Sequence, residues 1–293
     1  MGLSNIQQRS LAALDWPRLV EALVERARTT LGRERSANLR LSMDVEGVRR
    51  KLRQVTQMRE ATREGTAPFG GIHDVRDHVG RCRKGEILDG RALVEVADAL
   101  AGCADLRRFF ANSQVEVPDL RTIAEEIIPL DELQSRLATS FDRQGELSTV
   151  TYPHLAELRG RKSGLHASIR ERLEDLTAGE TWQGALQEDY LTQRNDRYVV
   201  PVKVQARSLD LGIVHDTSGS GQTVFVEPRE VVGLNNKLKM ADAELKREEL
   251  AILGSLCEAV ALWSDDLQRD LGAVAELGAM EADEAGLRIG AGV

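Results

Sequence analysis

The feature that most constrains this chain is a change of hydrophobic period that later reverses. From Pro153 the apolar residues Leu155, Leu158, Leu165, Ile169, Leu173 and Leu176 recur mostly at steps of three, four or seven, which predicts a long helix ending near Gly179. After Pro228 the helical period returns with Leu238, Leu245, Ile252, Leu256, Val260, Trp263, Leu267, Leu271 and Val274, at the spacing of a coiled coil. A helix of roughly 40 residues, at about 1.5 Å per residue, reaches about 60 Å. An arm of that length must pack against a partner arm. Between the two runs the chain turns β-branched and short in Tyr198–Val204, Gly212–His215 and Thr223–Val226, as strands are. The Gly/Ser stretch Asp216–Gln222 predicts a hairpin joining the last two. Pro201 cannot donate to a ladder, so its strand is expected at an edge or a bulge.

The remaining sequence reads as helix. Leu19, Leu23, Val24 and Ala27 form one face, with Asp15 as cap, Pro17 in the first turn and Gly32 as the stop. A second helix is predicted from Asp44 to Glu64, with Val48, Leu52, Val55 and Met58 on its apolar side. A loop follows over Gly65–Gly71, then shorter helices over Val75–Cys82, Arg91–Phe110 and Leu120–Ile128. The expectation is a mainly α chain: a helical body over 1–150, a descending arm over 151–178, an inserted β-containing tip over 179–229 and an ascending arm over 230–293. An aromatic share of only 4% agrees with long helices.

Charge and cysteine content narrow the function classes. A net charge of -8 excludes a generally basic nucleic-acid coat and confines any such contact to a local patch. Three cysteines, Cys82, Cys103 and Cys257, are too few and scattered for a disulfide scaffold or zinc cage and fit a reducing, cytoplasmic setting. No apolar run approaches the roughly 20 residues needed to span a bilayer, and the first residues lack the pattern of a signal peptide.

A local patch does exist. Arg194, Arg197, Lys203 and Arg207 gather around the first strand, with Asp196 as the nearby counter-charge. Thr217, Ser218 and Ser220, beside the permissive Gly219 and Gly221, offer hydroxyls and N–H groups suited to phosphate. The plainer account is a solvated strand edge and an ordinary turn, and Glu180, Glu188, Asp189, Asp210, Asp216, Glu227 and Glu230 outnumber the cations of the tip. Arg159, Arg161, Lys162, Arg170 and Arg172 on the first arm read as helix solvation and ion pairing rather than as a backbone track. His215-Asp216 reads as a hydrogen-bonded structural pair, Asp74 beside His73 and His78 as a helix cap, and Cys82 and Cys103 as core.

The run Leu191–Lys203, the run Gly212–Pro228 and Leu234-Asn235-Asn236 together resemble the bacterial MutS-two family, paralogues of the mismatch-repair protein MutS. The likeness extends back through Gly145-Glu146-Leu147 to Leu14-Asp15-Trp16. It implies a MutS-type helical core, two lever helices and a small clamp at their far end. It further implies binding of branched or mismatched DNA, restraint of recombination, engagement of stalled ribosomes through rRNA, and a homodimer. The family continues into a P-loop ATPase, which uses ATP and Mg, and usually a C-terminal Smr nuclease. This sequence holds no G-x-x-x-x-G-K-S/T string; the nearest, Gly160-Arg161-Lys162-Ser163-Gly164, has the wrong spacing and a helical setting. The expectation is therefore a non-catalytic reader and lever without cofactor or metal. The alternative is a truncated structural or regulatory paralogue that dimerises with a full-length partner and does not itself bind nucleic acid.

Overall fold

The computed structural model describes residues 15–40, 42, 44–188 and 191–290, excluding the side chains of 64, 207–209 and 286–290. In chain order its first helices are α1 (Trp16–Arg26), α2 (Thr30–Ala37), α3 (Val45–Glu64), α4 (Arg76–Arg83), α5 (Gly90–Ala111), α6 (Pro118–Glu125) and α7 (Asp131–Ser140). Then come α8 (Pro153–Thr177), α9 (Glu180–Ala185), β1 (Thr192–Arg194), β2 (Arg197–Lys203), a 3-10 turn (Val204–Leu209), β3 (Gly212–Thr217), β4 (Thr223–Pro228), α10 (Arg229–Leu262) and α11 (Ser264–Gly290). The fold is mainly α with one small antiparallel sheet. It divides into two compact units, one of Met1–Leu147 with Leu253–Val293, the other of Ser148–Ile252.

The first unit is helical, and α11 packs on each of α1 to α6, with α2 and α3 its main partners. Leu267, Leu271, Val274 and Leu277 of α11 are fully or almost fully buried, as are Leu31, Met58, Phe69, Leu93, Leu106 and Phe110 from the other elements. Local chemistry sets the helix starts. Asp44 accepts from the N–H groups of Glu46 and Gly47 at 3.1 and 3.0 Å, and Asp89 accepts from Ala92 N–H at 2.9 Å. Asp15 instead has φ 50°, and its carboxylate takes Arg18 at 3.3 Å rather than capping α1.

Three expectations change here. Gly32 does not stop a helix: α1 ends at Arg26, Thr29 caps a new helix by accepting from Gly32 N–H at 3.0 Å, and Gly32 lies inside it. A Cβ at Gly32 would sit 3.1 Å from the Gly278 carbonyl carbon, so the glycine permits close approach of α2 and α11. Along α3, Val55 and Met58 are buried, but Val48 and Leu52 are 38% and 59% exposed, so only part of that stripe faces the core. The long run after Pro228 is two helices, with a turn at Trp263 held by Trp263 N–H to Val260 O at 3.2 Å and Leu267 N–H to Trp263 O at 2.9 Å. Leu262 and Trp263 are exposed at that break.

In the second unit α8 and α10 run antiparallel. Arg159 meets Glu249 at 3.0 Å, Arg161 meets Glu244 at 3.0 Å, and Lys162 pairs with Asp242, so rising numbers on one helix match falling numbers on the other. Ile169 and Leu173 of α8, Trp182 of α9 and Leu238 of α10 enclose a core with Tyr198, Val200, Val202, Val224 and Val226. Those strand residues alternate, placing one face of the sheet on the helices. Strand order is β1-β2-β4-β3, all neighbours antiparallel, and the expected hairpin is β3–β4.

The strand carrying Pro201 is interior rather than an edge. The Pro201 carbonyl accepts from Gln187 N–H at 3.0 Å on the side away from β4, beyond the last β1 pairing at Thr192 and Val199. The N and C=O of one strand residue point the same way, so the missing donor falls on that side and the β4 ladder loses nothing. β1 itself was not expected. Asn195 and Asp196, at φ 52° and 61°, form the two-residue turn that joins it to β2.

Candidate nucleic-acid interface

The sheet's second face is built from alternation as well. Arg194, Arg197, Asp216, Phe225 and Glu227 lie opposite the valine face, because Pro201 pairs with Phe225 and Asp216 with Phe225 in register. One irregularity aims a further residue there. Val214 pairs with Val226 and Asp216 with Phe225, which leaves His215 as the extra residue of a β-bulge. Its Nε2 lies 2.6 Å from Glu227 Oε2.

Glu227 is the centre of this face. It is 0% exposed and also accepts from Arg197 Nη1 at 2.6 Å and from Asn235 Nδ2 at 2.8 Å. Burial works to raise its carboxyl, but the hydrogen bonds from Asn235, His215 and Arg197 outweigh burial and hold it below the ordinary carboxylate value. Asn235, also 0% exposed, ties α10 to β2: its Oδ1 accepts Tyr198 N–H at 3.1 Å and its Nδ2 donates to Tyr198 O at 3.1 Å. A helix side chain thus satisfies the Tyr198 N–H and C=O on the side away from β1, where the β4 ladder begins only at Val200.

The proposed cations take different places around this centre. Arg197 is committed to Glu227 and, through Nη2, to Asn236 Oδ1 at 2.6 Å. Arg194 lies over the Phe225 ring, 4.2 Å from its centroid, and pairs with Asp216 at 3.3 Å. The sequence-local counter-charge, Asp196, is instead a turn residue; the true partners lie on β3 and β4. Lys203 donates to Gly184 O at 3.3 Å. Arg207 falls in the 3-10 turn, and its side chain is outside the described residues, as are Asp189 and Leu14.

The turn residues form a self-bonded hairpin tip. Ser218 Oγ accepts from Thr223 N–H at 3.1 Å and lies 3.3 Å from Ser220 Oγ, while Thr217 N–H donates to Asp216 Oδ1 at 2.8 Å. Thr217 and Ser220 stay exposed. Thr217, Ser218 and Ser220 therefore lie at the β3–β4 hairpin end of the sheet, level with Lys203, whereas Arg194 and Arg197 flank the β1–β2 turn at the other end, Arg194 reaching over Phe225 and Arg197 joining the buried network. Glu227, Asn235 and Phe225 were missed as organising residues. The available signal was a lone Glu in the apolar strand run Thr223-Val224-Phe225-Val226-Glu227.

Elsewhere, Arg159, Arg161 and Lys162 are ion-paired across α8 and α10, as the solvated-helix reading expects. Asp74 accepts from Arg76 N–H at 3.2 Å and binds its guanidinium, and His78 lies 3.0 Å from Glu95. Among the described residues no group of three or more His, Cys, Asp and Glu could hold a metal ion, and no helix is long and apolar enough to cross a membrane.

No family model matches the chain. It is 37% identical over 274 residues to a protein of Anaeromyxobacter sp. (strain Fw109-5) named Endonuclease MutS2, covering 93% of this chain and 34% of that protein. Proteins of the same name from Bacillus cereus (strain B4264) and Bacillus anthracis (strain A0248) are 34% identical over 281 residues, covering 92% of this chain and 35% of theirs. The chain spans about a third of the length of these curated relatives. Over nearly its whole length the chain is thus similar to about a third of proteins named Endonuclease MutS2.

Proposed function

We propose that this chain is the non-catalytic core, lever and clamp portion of a MutS2-type protein, and that the clamp contacts the phosphate backbone of branched or mismatched DNA in restraining recombination. Stalled ribosomes, through rRNA, are a second target of the same chemistry. The helices of the first unit are the core, α8 and α10 the levers, and the β-sheet region the clamp. In this reading the molecule works as a homodimer. ATP hydrolysis with Mg and nuclease action fall to the two thirds of the relatives' length that the chain does not span, and this portion needs no cofactor or metal of its own.

The observation that carries the proposal is the Arg194 guanidinium, 37% exposed and 4.2 Å from the Phe225 centroid, with the hydroxyls of Thr217 and Ser220 exposed at the β3–β4 tip. Arg194 Nη1 donates to Thr192 Oγ1 at 3.3 Å and to Gln193 O at 2.9 Å, which anchors the guanidinium, and a phosphate takes the place of Asp216 at Nε. Lys203 and Arg207 add charge along the same strand and turn, and Ser218 shapes the tip. Arg197 supports the sheet from within rather than touching the ligand.

Binding of a labelled four-way junction, a matched duplex and 70S ribosomes, followed by anisotropy between about 50 and 200 mM salt, tests this. Arg194→Ala is expected to weaken junction or ribosome binding and to lower the salt slope by about one. Equal, weak binding to all polyanions that Arg194→Ala leaves unchanged overturns it. The second reading is a regulatory paralogue that pairs with a full-length partner. It draws on the commitment of Arg159, Arg161 and Lys162 to α10 carboxylates, and co-purification with an ATPase-bearing partner without nucleic-acid binding distinguishes it.

A further inference from the structure

Within the first unit, residues of α2, α3 and α11 and of the segment after α2 enclose a cavity of about 260 Å³. That is just below the usual range of ligand pockets, about 300–1,000 Å³, so an occupant is small and keeps its charged end at the rim. Two of the lining groups are buried without partners. Ser36 of α2 is 2% exposed, and its Oγ has no hydrogen-bond partner. Gln54 of α3 is 7% exposed, and its amide makes no hydrogen bond among the described residues. Buried hydroxyls and amides are nearly always paired, so two orphans in one cavity mark a place that a ligand completes. Val55 of α3 and Met280 of α11, both buried, supply apolar wall beside them.

Charge gathers at the rim. Arg40 and Lys51 are exposed and lie within salt-bridge distance of no carboxylate among the described residues. Arg35 is taken up by Glu276 at 4.0 Å. Burial raises the Asp283 carboxyl above its ordinary value against the pull of Lys51, which weakens its hold on that lysine. Three cations, Arg35, Arg40 and Lys51, against two carboxylates, Glu276 and Asp283, leave the lining net positive.

The two ends of the cavity ask for different chemistry in one molecule. A free Gln amide presents a donor beside an acceptor, the pairing with which Gln reads the edge of adenine. A ring with such an edge satisfies Gln54 and Ser36 and lies against Val55 and Met280, while an anionic group on the same molecule meets Arg40 and Lys51. We infer that the cavity binds a small organic anion of the mononucleotide class, its base at Gln54 and Ser36 and its phosphate at Arg40 and Lys51. No base is hydrogen-bonded to Ser36 Oγ, so the site holds its ligand rather than transforming it. It belongs to the first unit, whereas Arg194 belongs to the second.

The full chain is titrated by calorimetry with AMP, adenosine and inorganic phosphate, and binding is checked by the rise in melting temperature that a ligand of the folded state produces. AMP is expected to bind with Kd below about 1 mM, and adenosine and phosphate at least about tenfold more weakly. Gln54→Leu fills similar space without the orphaned amide. It is expected to leave the free chain at least as stable as wild type and to weaken AMP binding about three- to tenfold. Ser36→Ala is expected to act in the same direction and decides the matter if Gln54→Leu does not fold. Arg40→Gln combined with Lys51→Gln is expected to weaken AMP but not adenosine, and Arg194→Ala to change neither. Absence of AMP binding at about 10 mM, phosphate binding as tight as AMP, AMP binding that is unchanged in Gln54→Leu and Ser36→Ala, or AMP binding that is lost in Arg194→Ala overturns the inference.

Discussion

Replacing Glu227 by Gln removes one charge from the centre of the clamp sheet while keeping its size, and the structure sets the size of the effect. The carboxylate is fully buried and accepts from Arg197, His215 and Asn235 at 2.6, 2.6 and 2.8 Å. A Gln amide keeps one oxygen for Arg197 and Asn235 and faces His215 with its NH₂ group, so all three bonds lose the charge that strengthened them, at roughly 1 kcal/mol each, or about 3 kcal/mol. That agrees with the roughly 3–5 kcal/mol for removing one partner of a buried ion pair. Trp182, buried in the core of the same unit, is the natural reporter. With Trp16 and Trp263 changed to Phe, urea unfolding followed by Trp182 fluorescence is expected to shift its midpoint by about 2 M. The pH dependence gives a second readout. The folded carboxyl lies below its ordinary value, so its contribution is complete above the unfolded pKa and is lost as pH falls through the folded one. The two proteins should therefore converge in acid. A shift under about 1 kcal/mol at pH 7, or a difference that persists unchanged into acid, refutes the view of Glu227 as the electrostatic centre of the sheet.

Further outcomes follow from other parts of the fold. Asp270 is 1% exposed, with Oδ1 accepting Ile128 N–H at 2.9 Å, and burial pushes its carboxyl up to about 6. The folded state thus holds a proton that the unfolded chain releases near pH 4, and stability of the first unit falls as pH rises between about 4 and 6. Asp270→Asn should match wild type near pH 4 and gain up to about 3 kcal/mol on it by pH 8, seen as slower hydrogen exchange in α6 and α11. Gly32→Val drives side-chain atoms against the Gly278 backbone and should cost about 2 kcal/mol, read as faster exchange in α2 and α11 with β2 and β4 unchanged. Asp196→Gly relieves a left-handed non-glycine residue in the β1–β2 turn and should raise stability of the second unit by about 0.5 kcal/mol in the Trp182 assay.

The elements legible in the sequence were those whose cause is local. The apolar spacing of Leu155 to Leu176, the cap at Asp44 and the β-branched runs around Tyr198 and Phe225 each carry their own signal, and each forms the element expected of it. The break at Trp263 was hidden because the apolar period runs through it, although Ser264-Asp265-Asp266 has the composition of a helix start. Gly32 reads as a stop from propensity alone; its reason for being there is Gly278, which only the packed fold supplies. The candidate site shows the same division. Its cations are visible in the sequence, but counting neighbours assigns Asp196 to both arginines, while Asp216 and Glu227 reach them across strands. The bulge that turns His215 onto Glu227 depends on the register of two strands and leaves no local mark.

The division of the chain into a continuous and an interrupted unit also bears on the order in which it folds during synthesis. Residues 148–252 are contiguous, so all the contacts of their core are available once they have emerged. The first unit is not: α11 buries Leu267, Leu271 and Val274 against helices made some 200 residues earlier, and Asp270 meets the backbone of Ile128. Until α11 arrives, Leu31, Met58 and their neighbours lack their apolar cover. The early helices are thus the part of the nascent chain most exposed to aggregation and most dependent on chaperone protection, while the sheet unit, translated later, reaches its native state sooner.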